Sequence, residues 1–230
     1  MLSKRLVQRQ VANRKTLRKI DPLTLKPKDV NRVTDIIIDQ CKSVVEERSA
    51  PEFDYCWLSN KTIKKRNIVS NFRPIGKLDR ITDTIIDNLQ LNFPIEIRHT
   101  INKGPEYIYY TSKKHRWRGD WICIPEPFRF KESKFYYKTL LHELSHAACS
   151  RTRLCLKFSE DEEEVSVEAA SLIVCFLSGY NLWNSCLGYM IDWSYDKQGN
   201  PSITRKSQWE GIKSKTKRIV RYLLYGTDRI

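Results

Sequence analysis

Two histidines and a glutamate in the run His142-Glu143-Leu144-Ser145-His146 have the types and spacing to hold and use a metal ion. Positions four apart share one face of a helix, so His142 and His146 can offer imidazole nitrogens to one ion. Glu143 points to a neighbouring side, within reach of a water on that ion. With a third protein ligand and one open position, this is the pattern of a catalytic zinc site rather than a structural one. The chain has four histidines, and two of them fall in the motif. A bare H-E-x-x-H also arises by chance, as two surface histidines beside a charged neighbour. Here apolar residues at 137, 140, 141, 144, 147 and 148 follow helical spacing. They predict a helix with one buried face and the histidines at its margin.

The third ligand has to be a carboxylate. No histidine follows His146, and the chain has no Cys-x-x-Cys pair. Glu164 and Glu168 lie four apart on the next predicted helix, which continues through Ala169 to Leu177. Glu168 is the preferred ligand. It is flanked by Val165, Val167, Ala169 and Ala170, where a lone carboxylate would be costly unless paired or metal-bound. Glu164 belongs to the charge run from Glu160, most of which should be a solvated face. It could also orient a ligand histidine from outside. A second donor for an oxyanion is sought among Tyr189, His99 and His115. Tyr189 is favoured by its place after the ligand helix, against a packing role for the same ring.

Four further pieces of sequence stand in a telling order. The first is Ile95-Glu96-Ile97-Arg98-His99 with Tyr107-Ile108-Tyr109-Tyr110, and the second is Asp120-Trp121-Ile122-Cys123-Ile124-Pro125 with Phe128. The third is Tyr136-Tyr137 leading into the histidine motif. The fourth is Glu164-Val165-Ser166-Val167-Glu168, followed by Tyr189, Trp193 and a last helix ending near Tyr222-Leu223. From about Ile81 onward the chain thereby resembles the metallopeptidase domain of ArdC-like antirestriction proteins, relatives of the ImmA/IrrE zinc peptidases. The resemblance implies zinc on His142, His146 and Glu168, with Glu143 as general base. It implies an α+β, zincin-like fold with a small mixed or antiparallel sheet and an active-site helix pair. It also implies a protein or peptide substrate. Cys149 stands where the family commonly has glycine, and residues 1–80 are shorter than the family's separate single-strand-binding domain.

The elements that must position these residues are legible in outline. Asp29 can cap a helix running to about Glu47. Helices are also expected from Ile81 to Leu89, around Tyr189 to Trp193, and from about 205 to 224. Ile95 to His99 alternates as a strand, with further strands at 107–111 and 120–125 around a turn at 102–105. The resemblance makes Trp121 to Ile124 a candidate edge for pairing with an extended peptide, against a central strand with no free edge.

Charge bears on the partners. The formal net charge is +14. Residues 1–80 carry nineteen basic against nine acidic residues, and the first 20 hold seven basic and no acidic ones. A basic, mostly helical N-terminal region (1–80) that meets nucleic acid is therefore expected before a metallopeptidase domain at 81–230. The alternatives for the basic start are a solvated tail and an organellar targeting segment. Tyr55, Trp57 and Phe72 among Lys61, Lys64, Lys65, Arg66 and Arg73 suit base stacking with phosphate contact, or a core with a basic rim. Seven irregularly spaced cysteines with no secretory signal point to a reducing, intracellular (cytoplasmic) compartment. No stretch is long and apolar enough to span a membrane. The competing readings are a DNA-coating antirestriction protein with a structural or vestigial zinc site, and a partner-binding protein on a zincin scaffold.

Overall fold

The computed structural model describes residues 21–47, 73–91, 93–100, 105–108, 119–196 and 198–228. The basic arm of residues 1–20, the aromatic and lysine-rich stretch around Tyr55 to Arg66, the turn at 102–104 and His115 lie outside these residues. Two compact units are built, each from two separate stretches of chain: Met1–Phe53 with Phe158–Val220, and Asp54–Lys157 with Arg221–Ile230.

Among its described residues, the first unit is helical. Helix α1 (Pro27–Glu47) buries Val30, Thr34, Ile37, Ile38, Cys41 and Val45, the three-and-four spacing that makes one helical face. It starts at Pro27, whose fixed φ suits a first helical position. Asp29, expected as the cap, therefore sits in the first turn. Helix α4 (Glu160–Leu177) begins on Ser159, whose hydroxyl accepts the Glu162 amide at 3.4 Å. Glu160, Asp161, Glu162 and Glu163 fill its first turn, where negative charge meets the positive end of the helix dipole. From Val165 to Cys175 every residue is buried, so this is a core helix wrapped on all sides. Helix α5 (Trp183–Ser194) packs on both α1 and α4.

Helix α6 (Lys206–Tyr225) runs largely within the same unit. Its basic residues are partly neutralised there. Lys213 reaches Asp39 at 2.7 Å and Lys217 reaches Asp35 at 2.6 Å, both on α1. Lys215 reaches Glu162 at 3.4 Å and lies 4.2 Å from the centre of the Phe158 ring.

The second unit carries the sheet. Helix α2 (Gly76–Gln90) buries Leu78, Ile81, Thr82, Ile85 and Leu89. Strands β1 (Ile95–Thr100), β2 (Glu106–Ile108) and β3 (Asp120–Pro125) form a mixed sheet in the order β1-β3-β2. β1 runs parallel to β3, pairing Ile97 with Ile122, and β2 runs antiparallel to it, pairing Tyr107 with Ile122. β3 is thus the central strand, with Ile122 and Ile124 fully buried. That corrects the expectation of an edge at Trp121 to Ile124, because both of its hydrogen-bonding sides are taken within the sheet. Helix α3 (Ser133–Cys149) packs on β2 and β3 and on α2. The end of α6 closes this unit. Gly226 takes a left-handed φ of 69° just past the helix, and Asn88 donates to the Leu223 carbonyl at 2.8 Å.

Among the described residues, no helix is long and apolar enough to cross a membrane, and Cys41, Cys123 and Cys155 are free thiols.

Candidate metal centre

Helix α3 carries the motif, and it is pinned at both ends. In its first turn Tyr137 donates its hydroxyl to the Asp79 carboxylate of α2. The neighbouring Tyr136 shares a hydrogen bond of 3.1 Å with His99 on β1, with the two rings stacked. Burial pushes the Tyr136 hydroxyl up to about 12, and the Asp79 carboxylate adds to the shift. His99, named above as a candidate oxyanion donor, is thereby engaged with the start of α3.

Arg153 fixes the other end. Its guanidinium donates to the Ala147 carbonyl at 3.2 Å and the Ser150 hydroxyl at 3.1 Å, both at the close of the helix. It donates also to the carbonyls of Leu89 (3.1 Å) and Phe93 (2.9 Å). Its ionic partner is Asp120, the first residue of β3, at 2.5 Å, and both side chains are fully buried. All five guanidinium hydrogen bonds therefore tie the helix end to the elements beneath it. Cys149, at the expected glycine, needs no left-handed backbone. That conformation falls six residues later, on Cys155 (φ 48°).

Between these anchors the histidines converge. His142 is buried and His146 half-buried, with their Nε2 atoms 3.2 Å apart and their rings crossed at 73°. Two nitrogens sharing a tetrahedral zinc at ~2.05 Å would be separated by roughly 3.3 Å. The imidazoles therefore already stand at the edge length of such a site. The buried Glu143 occupies the next position on the helix.

The carboxylate that joins them is Glu164, in the second turn of α4. One ligand atom each from His142, His146 and Glu164 lies within 4.8 Å of the other two. Glu164 is half-buried, and its Oε2 accepts the Tyr189 hydroxyl of α5 at 2.8 Å. Glu168, one turn along α4, is fully buried and is not in that three-residue group. It lies close enough to Cys41 that its charge reinforces the effect of burial, which pushes that thiol far up.

Tyr189 meets the site through Glu164. Burial, then the Glu164 charge and hydrogen bond, raise the Tyr189 hydroxyl well above its ordinary value. A tyrosine hydroxyl has one proton to donate, and here it goes to Glu164. The sequence reading missed this pairing, although both residues were singled out. The signal was the 25-residue separation of two residues on adjacent helices, which no local periodicity links. The Arg153 clamp was missed for the same reason.

Two imidazoles and a carboxylate beside a glutamate make a donor set suited to a zinc-like ion. The family model MPTase-PolyVal, described as a zincin-like metallopeptidase, matches residues 91–185. No curated protein and no solved structure matches the chain. The matched stretch spans the sheet, both helices of the metal group and the opening of α5, and residues 91–185 are similar to a zincin-like metallopeptidase domain.

Proposed function

We propose that the protein is a zinc-dependent peptidase of the ArdC-like type, with His142, His146 and Glu164 holding the metal and Glu143 serving as general base. The observation that carries the reading is the convergence of the two imidazoles and the Glu164 carboxylate within 4.8 Å, on a helix that presents Glu143 beside them. When bound, a zinc ion in such a site polarises a peptide carbonyl and lowers the pKa of a water ligand to about 7. Glu143 accepts a proton on its carboxylate and returns it to the leaving amine. Its burial keeps bulk water from competing for that proton. The anchored ends of α3 hold the histidines and Glu143 in one geometry, so little reorganisation is needed when substrate arrives. Glu168 is the competing carboxylate ligand, supported by the family resemblance and by its apolar surroundings.

The test is elemental analysis of the full chain together with hydrolysis of an unfolded protein substrate. About one zinc per chain is expected, lost in His146→Ala and Glu164→Ala and kept in Glu168→Ala. Loss in Glu168→Ala with retention in Glu164→Ala would move the ligand assignment to Glu168. Glu143→Gln should keep the metal and lower turnover by about 10²–10⁴-fold, the usual weight of general acid–base catalysis. Wild-type protein without zinc after purification free of chelators would end the peptidase reading.

A second reading, a single-strand-binding antirestriction protein with a structural zinc site, is favoured by the surplus of ten positive charges over residues 1–80. It predicts salt-dependent binding to single-stranded oligonucleotides and protection that survives Glu143→Gln. The basic side of α6 adds less to such a surface than its sequence suggests, since Lys213, Lys215 and Lys217 are ion-paired within their own unit.

A further inference from the structure

We propose that Tyr189 is a positioning residue for the metal centre, holding the Glu164 carboxylate in its ligating orientation, rather than a donor to the reacting carbonyl. The inference rests on the peptidase reading above, with Glu164 as a ligand. Two observations carry it. Tyr189 donates to Glu164 Oε2 at 2.8 Å, across two helices that pack directly on one another. The Trp193 ring, one turn along α5, lies 6.2 Å from the Tyr189 ring at 49°.

The hydrogen bond from Tyr189 does two things. It fixes the torsions of a glutamate that stands near the start of its helix and is only half-buried. It also uses one acceptor position of a group that has several, leaving the carboxylate able to bind a cation. Partners of this kind govern ligand orientation and commonly change metal affinity by 10–100-fold when removed. The role also accounts for the proton of Tyr189. A hydroxyl already spent on Glu164 would have to break that bond before serving an oxyanion.

The test uses Tyr189→Phe, which removes the hydroxyl and keeps the ring. Zinc affinity is read by competition with a chromophoric chelator, and the cobalt-substituted protein is read by its visible spectrum. Tyr189→Phe should weaken zinc binding at least tenfold and alter the cobalt bands, while the melting temperature of the metal-stripped protein stays near that of wild type. Unchanged zinc affinity in Tyr189→Phe, with turnover at saturating zinc reduced, would overturn the proposal and return Tyr189 to the oxyanion role. If wild type binds no zinc at all, the peptidase reading itself has failed. A metal-binding wild type with an unaffected Tyr189→Phe refutes this inference alone.

Discussion

Arg153→Met removes a charge that has no other place to go. The arginine and its partner Asp120 have no exposed side-chain surface, and the guanidinium satisfies five acceptors. Methionine keeps much of the reach and all of the apolar stem. What is lost is the counter-charge of a carboxylate that stays in the interior. Breaking one side of a buried pair costs about 3–5 kcal/mol. For a chain of this size, at roughly 2–4 °C per kcal/mol, the melting temperature should fall by roughly 6–20 °C. Urea denaturation followed by circular dichroism should show the same loss at an unchanged slope. Amide exchange should accelerate most at residues 147–153, where the helix end loses its restraint. The companion variant Arg153→Met/Asp120→Leu should recover most of the stability, because an apolar pair of similar volume often replaces a buried ion pair without cost. A single variant that loses less than about 1 kcal/mol, or a double variant no more stable than the single, would refute the idea that charge compensation holds the two elements together.

Other consequences can be checked separately. Ile122→Ala, in the centre of β3, should cost about 2–5 kcal/mol in the same denaturation assay. Ser159→Ala should destabilise by about 1 kcal/mol and fray the first turn of α4 ahead of Glu164, seen as faster exchange of the Glu162 amide. Tyr136, held up to about 12 when folded, keeps its proton in the native state above pH 10, where the unfolded chain loses it. Its contribution is therefore full below pH 10 and fades as pH rises toward 12. Removing Tyr136 by Tyr136→Phe should delete that late step from the tyrosinate absorbance titration, and a step that persists would assign it elsewhere.

What the sequence revealed follows from how local each signal is. Helix α3 was legible because its apolar spacing and the H-E-x-x-H motif coincide within one element, and the observed span Ser133–Cys149 contains the whole predicted run. Strand β1 was legible for a similar reason, from the alternation of Ile95 to His99, and the strand expected at 120–125 is β3. The order of the strands was not. The local sequence of Asp120–Pro125 says nothing about which neighbours flank it, and β2 turns out to cover the side read as an open edge. The helix expected from Ile81 begins at Gly76, because Leu78 is a core residue whose contacts are made at a distance along the chain. Glu164 and Glu168 show how pattern and packing can differ. Both share one helical face, and apolar flanks do mark Glu168 as buried. Burial and membership of the metal group then separate, since the three-residue group takes the shallower glutamate. Tyr189 was picked out by its place after α4, yet its tie to Glu164 depends on how α4 and α5 pack.

The helical unit is closed by stretches on either side of a long insertion, Met1–Phe53 and Phe158–Val220. This has a consequence during synthesis. The apolar face of α1, with Val30, Ile37 and Cys41, finds its cover only when α4 and α5 have been translated. At about 5–20 residues per second, the roughly one hundred intervening residues leave that face waiting for several seconds on the ribosome. Meanwhile the inserted stretch from 54 to 157 can begin to fold around its own sheet. The nascent chain thus emerges with an early helix waiting for late partners, a window in which holding chaperones would have a defined target. Truncations that stop before Phe158 should leave the same face uncovered for good and send the fragment toward aggregation.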